Sequence, residues 1–166
     1  MRAWPGWPIG AALVLALATT PAPAAGQRLE PVRLADGWRF AFGPHEGAER
    51  MDYRDDDWQP VTLPHTWNAE DAFTRVPSFH EGVGWYRLRV VVPDAWRGHR
   101  LVLRFGAANQ VTDVWWNGRP VAHHAGGYTA FACDLSEATR FGATNRLAVR
   151  VDNTVGAVPP LIADYN

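Results

Sequence analysis

Apolar and polar side chains alternate with a period of two in segment after segment once the first thirty or so residues are passed, the spacing of half-buried β-strands. In GWYRLRVVV (84–92) the residues Tyr86, Leu88, Val90 and Val92 fall on one face, and Trp85, Arg87 and Arg89 on the other. In HRLVLRF (99–105) Leu101, Leu103 and Phe105 point inward while Arg100 and Arg104 point outward. Pro93 to Gly98 supplies turn residues between the two, so they are expected to pair as antiparallel neighbours. Val111 to Trp116 runs into Asn117-Gly118, which provides the two positive-φ positions of a two-residue hairpin turn, and a return strand through Val121 follows. Tyr128 to Leu135 alternates again after Gly126-Gly127. NRLAVRV closes the series with Leu147, Val149 and Val151 on one face and Arg146 and Arg150 on the other. No stretch offers three turns of amphipathic helix; short helical turns are expected near Asp55 to Trp58 and Ser136 to Thr139. About seven short strands predict an all-β fold, a β-sandwich of jelly-roll type. Residues 69–83 lack a period and read as a long loop, a feature that inside a compact domain is commonly functional or interfacial.

The first 24 residues follow another logic. Arg2 precedes an apolar run from Ile9 to Ala18, and Ala22-Pro23-Ala24 follows, the layout of a secretory signal with its small-residue cleavage site. The run is about half the roughly 20 residues a spanning helix requires. The expected organisation is a signal at 1–24, a lead-in at 25–33 and one domain at 34–166, in a protein that is secreted or periplasmic and has no membrane segment once the signal is removed.

Composition narrows the classes. All 16 basic residues are Arg, they face 17 acids, and the net charge of −1 gives no excess to draw the chain onto a phosphate backbone, so no nucleic-acid partner is expected. Hydrophobic residues at 47% and aromatics at 12% suffice for a core. The single Cys133 has no partner within the chain and alternates with Phe131 and Leu135, which makes it a small core residue.

Several local patterns occur in order: W-R-F at 38–40, DDDWQPVTLPHTW at 55–67, GWYR at 84–87, VWWNG at 114–118, HAGGYTAF at 124–131 and NRLAVRVDN at 145–153. Together they resemble the N-terminal, sugar-binding-like jelly-roll domain of glycoside hydrolase family 2, over about Leu34 to Asn166. That family holds β-galactosidases, β-glucuronidases and β-mannosidases. The resemblance implies a domain that buttresses a catalytic barrel and supplies part of its pocket rim in an exported enzyme acting on a terminal β-linked sugar, a galactoside first. Its partners would be the carbohydrate and the adjoining glycosidase domains, and no cofactor is implied. Free-standing carbohydrate-binding modules share the architecture and form the alternative; a decayed gene product without activity is a third possibility. The resemblance also implies a further, glycine-containing strand after the PPLIADYN segment, so a chain stopping at Asn166 is expected to be a truncation, short of about three inward side chains worth roughly 1.5 to 3 kcal/mol each.

Retaining hydrolysis needs two carboxyl groups about 5 to 5.5 Å apart, and a barrel to hold them takes about 250 residues. The six glutamates, Glu30, Glu46, Glu49, Glu70, Glu81 and Glu137, lie in turn-like sequence without a paired arrangement. No catalytic residue is assigned. For substrate binding the resemblance implies Asp164, matching an aspartate that reaches the barrel mouth and helps bind the terminal sugar, with sodium nearby in some galactosidases; the structural alternative is a solvated carboxylate. His65 lies in LPHTW and Asn68 and Asp71 follow it, where the resemblance places a loop facing the barrel, and a loop held by a rigid sandwich is a reasonable contact surface. For His65 the alternative is a cap or bridge to local backbone. No metal site is assigned: His123 and His124 are adjacent on a strand and point to opposite faces. Asp55-Asp56-Asp57 lacks the spacing of a calcium loop and is expected to cap the turn ahead of Trp58. Of Trp115 and Trp116, one is expected in the core and the other on the outer face or an interface. Gly126-Gly127 is expected to be a tight turn.

Overall fold

A computed structural model describes residues 30–69 and 80–154 of the chain. Residues 1–33 form a unit of their own, of which 30–33 are exposed. The remainder forms a second unit, whose described residues make eight strands: β1 (Trp38–Phe42), β2 (Gln59–Val61), β3 (Val83–Val92), β4 (Val102–Phe105), β5 (Val111–Trp116), β6 (Arg119–Ala125), β7 (Phe131–Asp134) and β8 (Ala143–Asp152). Two antiparallel sheets result, one of six strands in the order β2-β1-β3-β8-β5-β6 and one of the pair β4-β7. They enclose the core of a jelly-roll sandwich. From the larger sheet come Trp38, Phe40, Tyr86, Leu88, Val114, Trp116, Leu147 and Val149; Leu103, Phe105, Phe131 and Cys133 answer from the smaller. Burial pushes the Cys133 thiol up to about 11, in keeping with a core residue.

The alternation in the sequence is the alternation in space, with one change of meaning. Tyr86, Leu88 and Val92 do face the core, but the opposite face of β3 is not open to water: Trp85 and Arg87 are buried there. The segment 43–58 folds back over that face, and Ala48 and Trp58 form a second small core with Trp85, against which Tyr53 and Trp115 pack. The two adjacent tryptophans separate as a strand requires. Trp116 enters the main core, and Trp115 stacks on Trp85 at 5.4 Å and 25°.

Two expectations about pairing and capping are corrected. β3 and β4 are not neighbours but lie in different sheets. Both edges of β3 are occupied, by β1 and by β8, and the ten-residue register with β8 offers far more ladder than the four residues of β4. Pro93 to Gly98 therefore carries the chain from one sheet to the other through a 3-10 turn at Asp94–Trp96, and Trp96 packs on the core. Asp55 is no side-chain cap. Its carbonyl oxygen accepts from the Trp58 N–H at 3.2 Å to make the expected turn, while its carboxylate turns inward to the guanidinium of Arg87, Oδ2 accepting from Nε at 2.9 Å. Arg87 is 0% exposed and Asp55 2%. The remaining Arg87 donors meet the carbonyl oxygens of Ala48, Arg50 and Tyr53, and Arg89 closes the other Asp55 oxygen at 3.2 Å.

The Asn117-Gly118 hairpin forms as expected, with φ of 54° and 80°. Its return strand runs past Val121 to Ala125, and the alternating stretch beginning at Tyr128 becomes strand only from Phe131.

Candidate functional site

The registers bring five strand ends level. Phe42 pairs with Gly84, Val83 with Asp152, Asp152 with Val111, and Val111 with Ala125. One end of the large sheet is thus an assembly of chain segments leaving β1, β8 and β6 and entering β3 and β5, and at this end Phe105 and Phe131 of the small sheet also pair. Backbone groups beyond a sheet end have no ladder and must find other partners. Here side chains supply them.

Three donors converge on the carbonyl oxygen of His80: the Trp67 indole at 2.9 Å, the Asn153 carboxamide at 3.1 Å and the Asn68 carboxamide at 3.4 Å. In return Asn68 Oδ1 accepts from the His80 N–H at 2.8 Å, and Asn153 Oδ1 accepts from the Gly82 N–H at 2.8 Å. The two asparagines, far apart in sequence, therefore clip the entry to β3. Trp67 can join them because it lies flat on Phe40, with centroids 5.7 Å apart and planes 12° apart, and passes over Gly84. A Cβ at Gly84 would stand 2.7 Å from the Trp67 ring and 2.9 Å from Phe40, so only glycine fits this approach.

His65 lies on the same inner face. Its Nδ1 and the Tyr86 hydroxyl are hydrogen bonded at 2.9 Å, and its ring leans on Phe40 at 4.7 Å. The partner is twenty-one residues away rather than local backbone. Burial lowers the His65 pKa and raises that of Tyr86, so both are neutral at pH 7.

Beside the clip a second pair of loops is locked together. The Gln110 N–H donates to Asp152 O and the Gly126 N–H donates to Gln110 O, both at 2.9 Å. Gly126 takes φ 147°, and a Cβ on Gly127 would collide with the Asn109 carboxamide. His124 Nε2 bonds the Thr129 hydroxyl at 2.9 Å and stacks on Phe131, which stacks in turn on Phe105. Between these anchors Tyr128 stands 92% exposed. The charges nearby are paired: Arg150 bridges Asp113 and Asp152, and His123 bonds Asp113 at 2.7 Å. Burial raises the Asp152 pKa, but hydrogen bonds from Thr154 and the charge of Arg150 outweigh it and the net shift is downward, so the exit of β8 carries a fixed anion.

Of the residues singled out in the sequence, His65 and Asn68 arrive at this end of the sandwich, joined through Trp67 and Phe40. Asp71 and Asp164 lie outside the described residues, as does most of the aperiodic segment. His123 and His124 commit to different partners, and among the described residues no group of three or more His, Cys, Asp or Glu is placed to hold a metal ion. Sequence reasoning did not single out Asn153, His80 or Tyr128. The available signal was positional: a carboxamide one residue past the last strand, and an aromatic just after a glycine pair. What the arrangement offers is a set of fixed carboxamides, hydroxyls and rings at one rim.

Residues 33–158 match the profile described as glycosyl hydrolases family 2, sugar binding domain. The chain belongs to glycoside hydrolase family 2. It is 32% identical over 138 residues to a β-glucuronidase of Bacteroides fragilis, covering 82% of this chain and 19% of that protein. A β-galactosidase of Bacteroides ovatus is 34% identical over 123 residues, 70% of this chain and 14% of its own length. Among solved structures, β-glucuronidase 2 of Bacteroides uniformis superposes with a TM-score of 0.72 at 35% identity, over 80% of this chain and 16% of that one. This family 2 sugar-binding domain thus spans about a fifth or less of the length of the relatives it matches.

Proposed function

We propose that this family 2 domain forms the carbohydrate-facing rim of an exported β-glycosidase that removes terminal β-linked sugars, with the reacting carboxyl pair supplied by other domains of the protein. The observation that carries the reading is the clip at the loop end: Trp67, Asn68 and Asn153 hold the main chain of His80 and Gly82 from three directions. A rim held this firmly keeps its geometry when a sugar arrives, which spares the ordering cost that a loose loop would pay on binding. Asp71 and Asp164 are the further sugar contacts on this reading, together with His65 and Asn68. Relatives named β-glucuronidase and β-galactosidase support a β-glycoside in general, and a galactoside is the first substrate to try. Export rests on the charged, apolar and small-residue layout of residues 1–24.

The test is kinetic. In the full-length glycosidase carrying this domain, Asn153→Ala and Asn68→Ala raise KM for a chromogenic β-galactoside or β-glucuronide several-fold while kcat changes little, as expected when ground-state and transition-state binding are lost together. Unchanged KM in both variants contradicts the rim. On the free-standing-module reading neither substitution changes KM, because the sugar is held away from the active site. Export is checked separately by the N-terminal sequence of the protein recovered outside the cytoplasm, with cleavage after Ala24 expected and an intact Met1 contradicting it.

A further inference from the structure

Tyr128 is the most exposed large hydrophobic residue described, at 92%, yet its turn is anchored on both sides. Gly126 is bonded to Gln110, Gly127 is pressed on Asn109, Thr129 is bonded to His124, and Phe131 is stacked between His124 and Phe105. A single exposed apolar side chain needs no explanation by itself. Here the backbone on both sides is fixed while the ring makes almost no contact with its own protein. Folding gains nothing from it, and its placement is already settled before any ligand arrives.

The surroundings say what such a ring can hold. Its chain neighbours are Gly126, Gly127, Thr129 and Ala130, none large enough to obstruct the faces of the ring. A protein partner would require a contiguous apolar patch around an aromatic anchor, and the turn instead offers the Asn109 carboxamide and the Thr129 hydroxyl, both on exposed residues. One open aromatic face beside hydrogen-bonding groups fits a pyranose, whose axial C–H groups lie on the ring while its hydroxyls meet polar side chains. The turn also lies at the same sheet end as the Asn68 and Asn153 clip, through the Gln110 to Asp152 hydrogen bond.

We propose that Tyr128 is a preformed stacking platform for a pyranose unit of a β-linked saccharide. The inference rests on the reading of this end as carbohydrate-facing and adds a specific contact to it. The test follows backbone amide resonances of the full chain during titration with methyl β-D-galactopyranoside, methyl β-D-glucuronide and lactose. The expected result is saturable shifts at 127–130, with affinity lowered up to about tenfold in Tyr128→Ala, the scale of one aromatic contact, and kept in Tyr128→Trp. The exposed ring makes Tyr128→Ala neutral for folding, which a melting curve verifies. Shifts at Asn68, Gly82 and Asn153 that persist with equal affinity in Tyr128→Ala overturn the platform and leave the rim reading standing. Absence of any shift up to about 50 mM, the range of very weak binding, overturns the platform, whereas the rim reading is overturned by unchanged KM in the full-length glycosidase. Resonances at 127–130 that ignore saccharide and respond only to an adjoining protein domain overturn the platform in favour of a protein contact.

Discussion

The outer face of the large sheet and its loop end treat polar groups in opposite ways. On the outer face, Arg87 and Asp55 are withdrawn from water, and every remaining Arg87 donor ends on a main-chain oxygen of the segment that covers them. At the loop end, Asn68 and Asn153 also bond main chain, but both stay half-buried, and Tyr128 at the same sheet end touches almost nothing. A buried ion pair closes on itself and has no capacity left for a ligand. A half-exposed carboxamide or ring, fixed from behind, keeps polar atoms and a face available in front. On the proposed reading one region stabilises the domain and the other meets the sugar, and changes in each should separate accordingly.

The largest effect is expected from Arg87→Ala, which removes the fully buried guanidinium from its carbonyl partners and leaves the Asp55 carboxylate to Arg89 at 3.2 Å and Arg146 at 3.6 Å. Removing one partner of a buried pair costs about 3 to 5 kcal/mol, measurable as a lowered urea midpoint, and a loss below about 1 kcal/mol would show that the pair is solvated after all. Next is Gly84→Ala, where the added methyl meets Trp67 at 2.7 Å and Phe40 at 2.9 Å. Overpacking of this kind costs about 1 to 3 kcal/mol. The sharper readout is faster amide exchange at His80 and Gly82, because a displaced Trp67 releases the clip; unchanged exchange would uncouple the two. Asn153→Ala is expected to cost about 1 kcal/mol, with the exchange change confined to 80–84 and none at Arg87 or Trp85.

The smallest effect is on pH dependence. Burial lowers the His65 pKa below 6.5, so the unfolded chain binds a proton more readily than the folded one. Stability is complete above about pH 6.5 and declines as the pH falls from there toward the folded value. His65→Gln keeps a partner for the Tyr86 hydroxyl without a titrating group, and its melting temperature should fall less than that of the wild type between pH 7 and 5. Equal slopes would place the titration elsewhere.

Much of this was readable in the sequence. The period of two located β3, β5 and β8 and the sides of their inward residues, and Asn117-Gly118 located the hairpin, because both signals are local. The resemblance carried by six short patterns fixed the family. What escaped depended on partners far apart along the chain. Arg87 looked solvent-facing because nothing local shows that segment 43–58 returns over it, and Asp55 looked like a cap because the same residue type serves both roles. β3 and β4 looked like a hairpin because sequence proximity says nothing of the longer ladder that β8 offers. At this end, His65 and Asn68 were singled out by their place in and just after LPHTW, whereas Asn153 meets His80 across seventy-three positions of sequence and no local pattern could join them.

The most direct test of the division between the two regions is photolabelling of the full chain with a diazirine-bearing β-galactoside, the sites of attachment mapped by mass spectrometry. Labels falling within 65–69, 80–82, 106–110, 126–130 and 153–154, and competed by free methyl β-D-galactopyranoside, are the predicted result. Competed labels concentrated in 43–58, over Trp85 and Trp115, would contradict it.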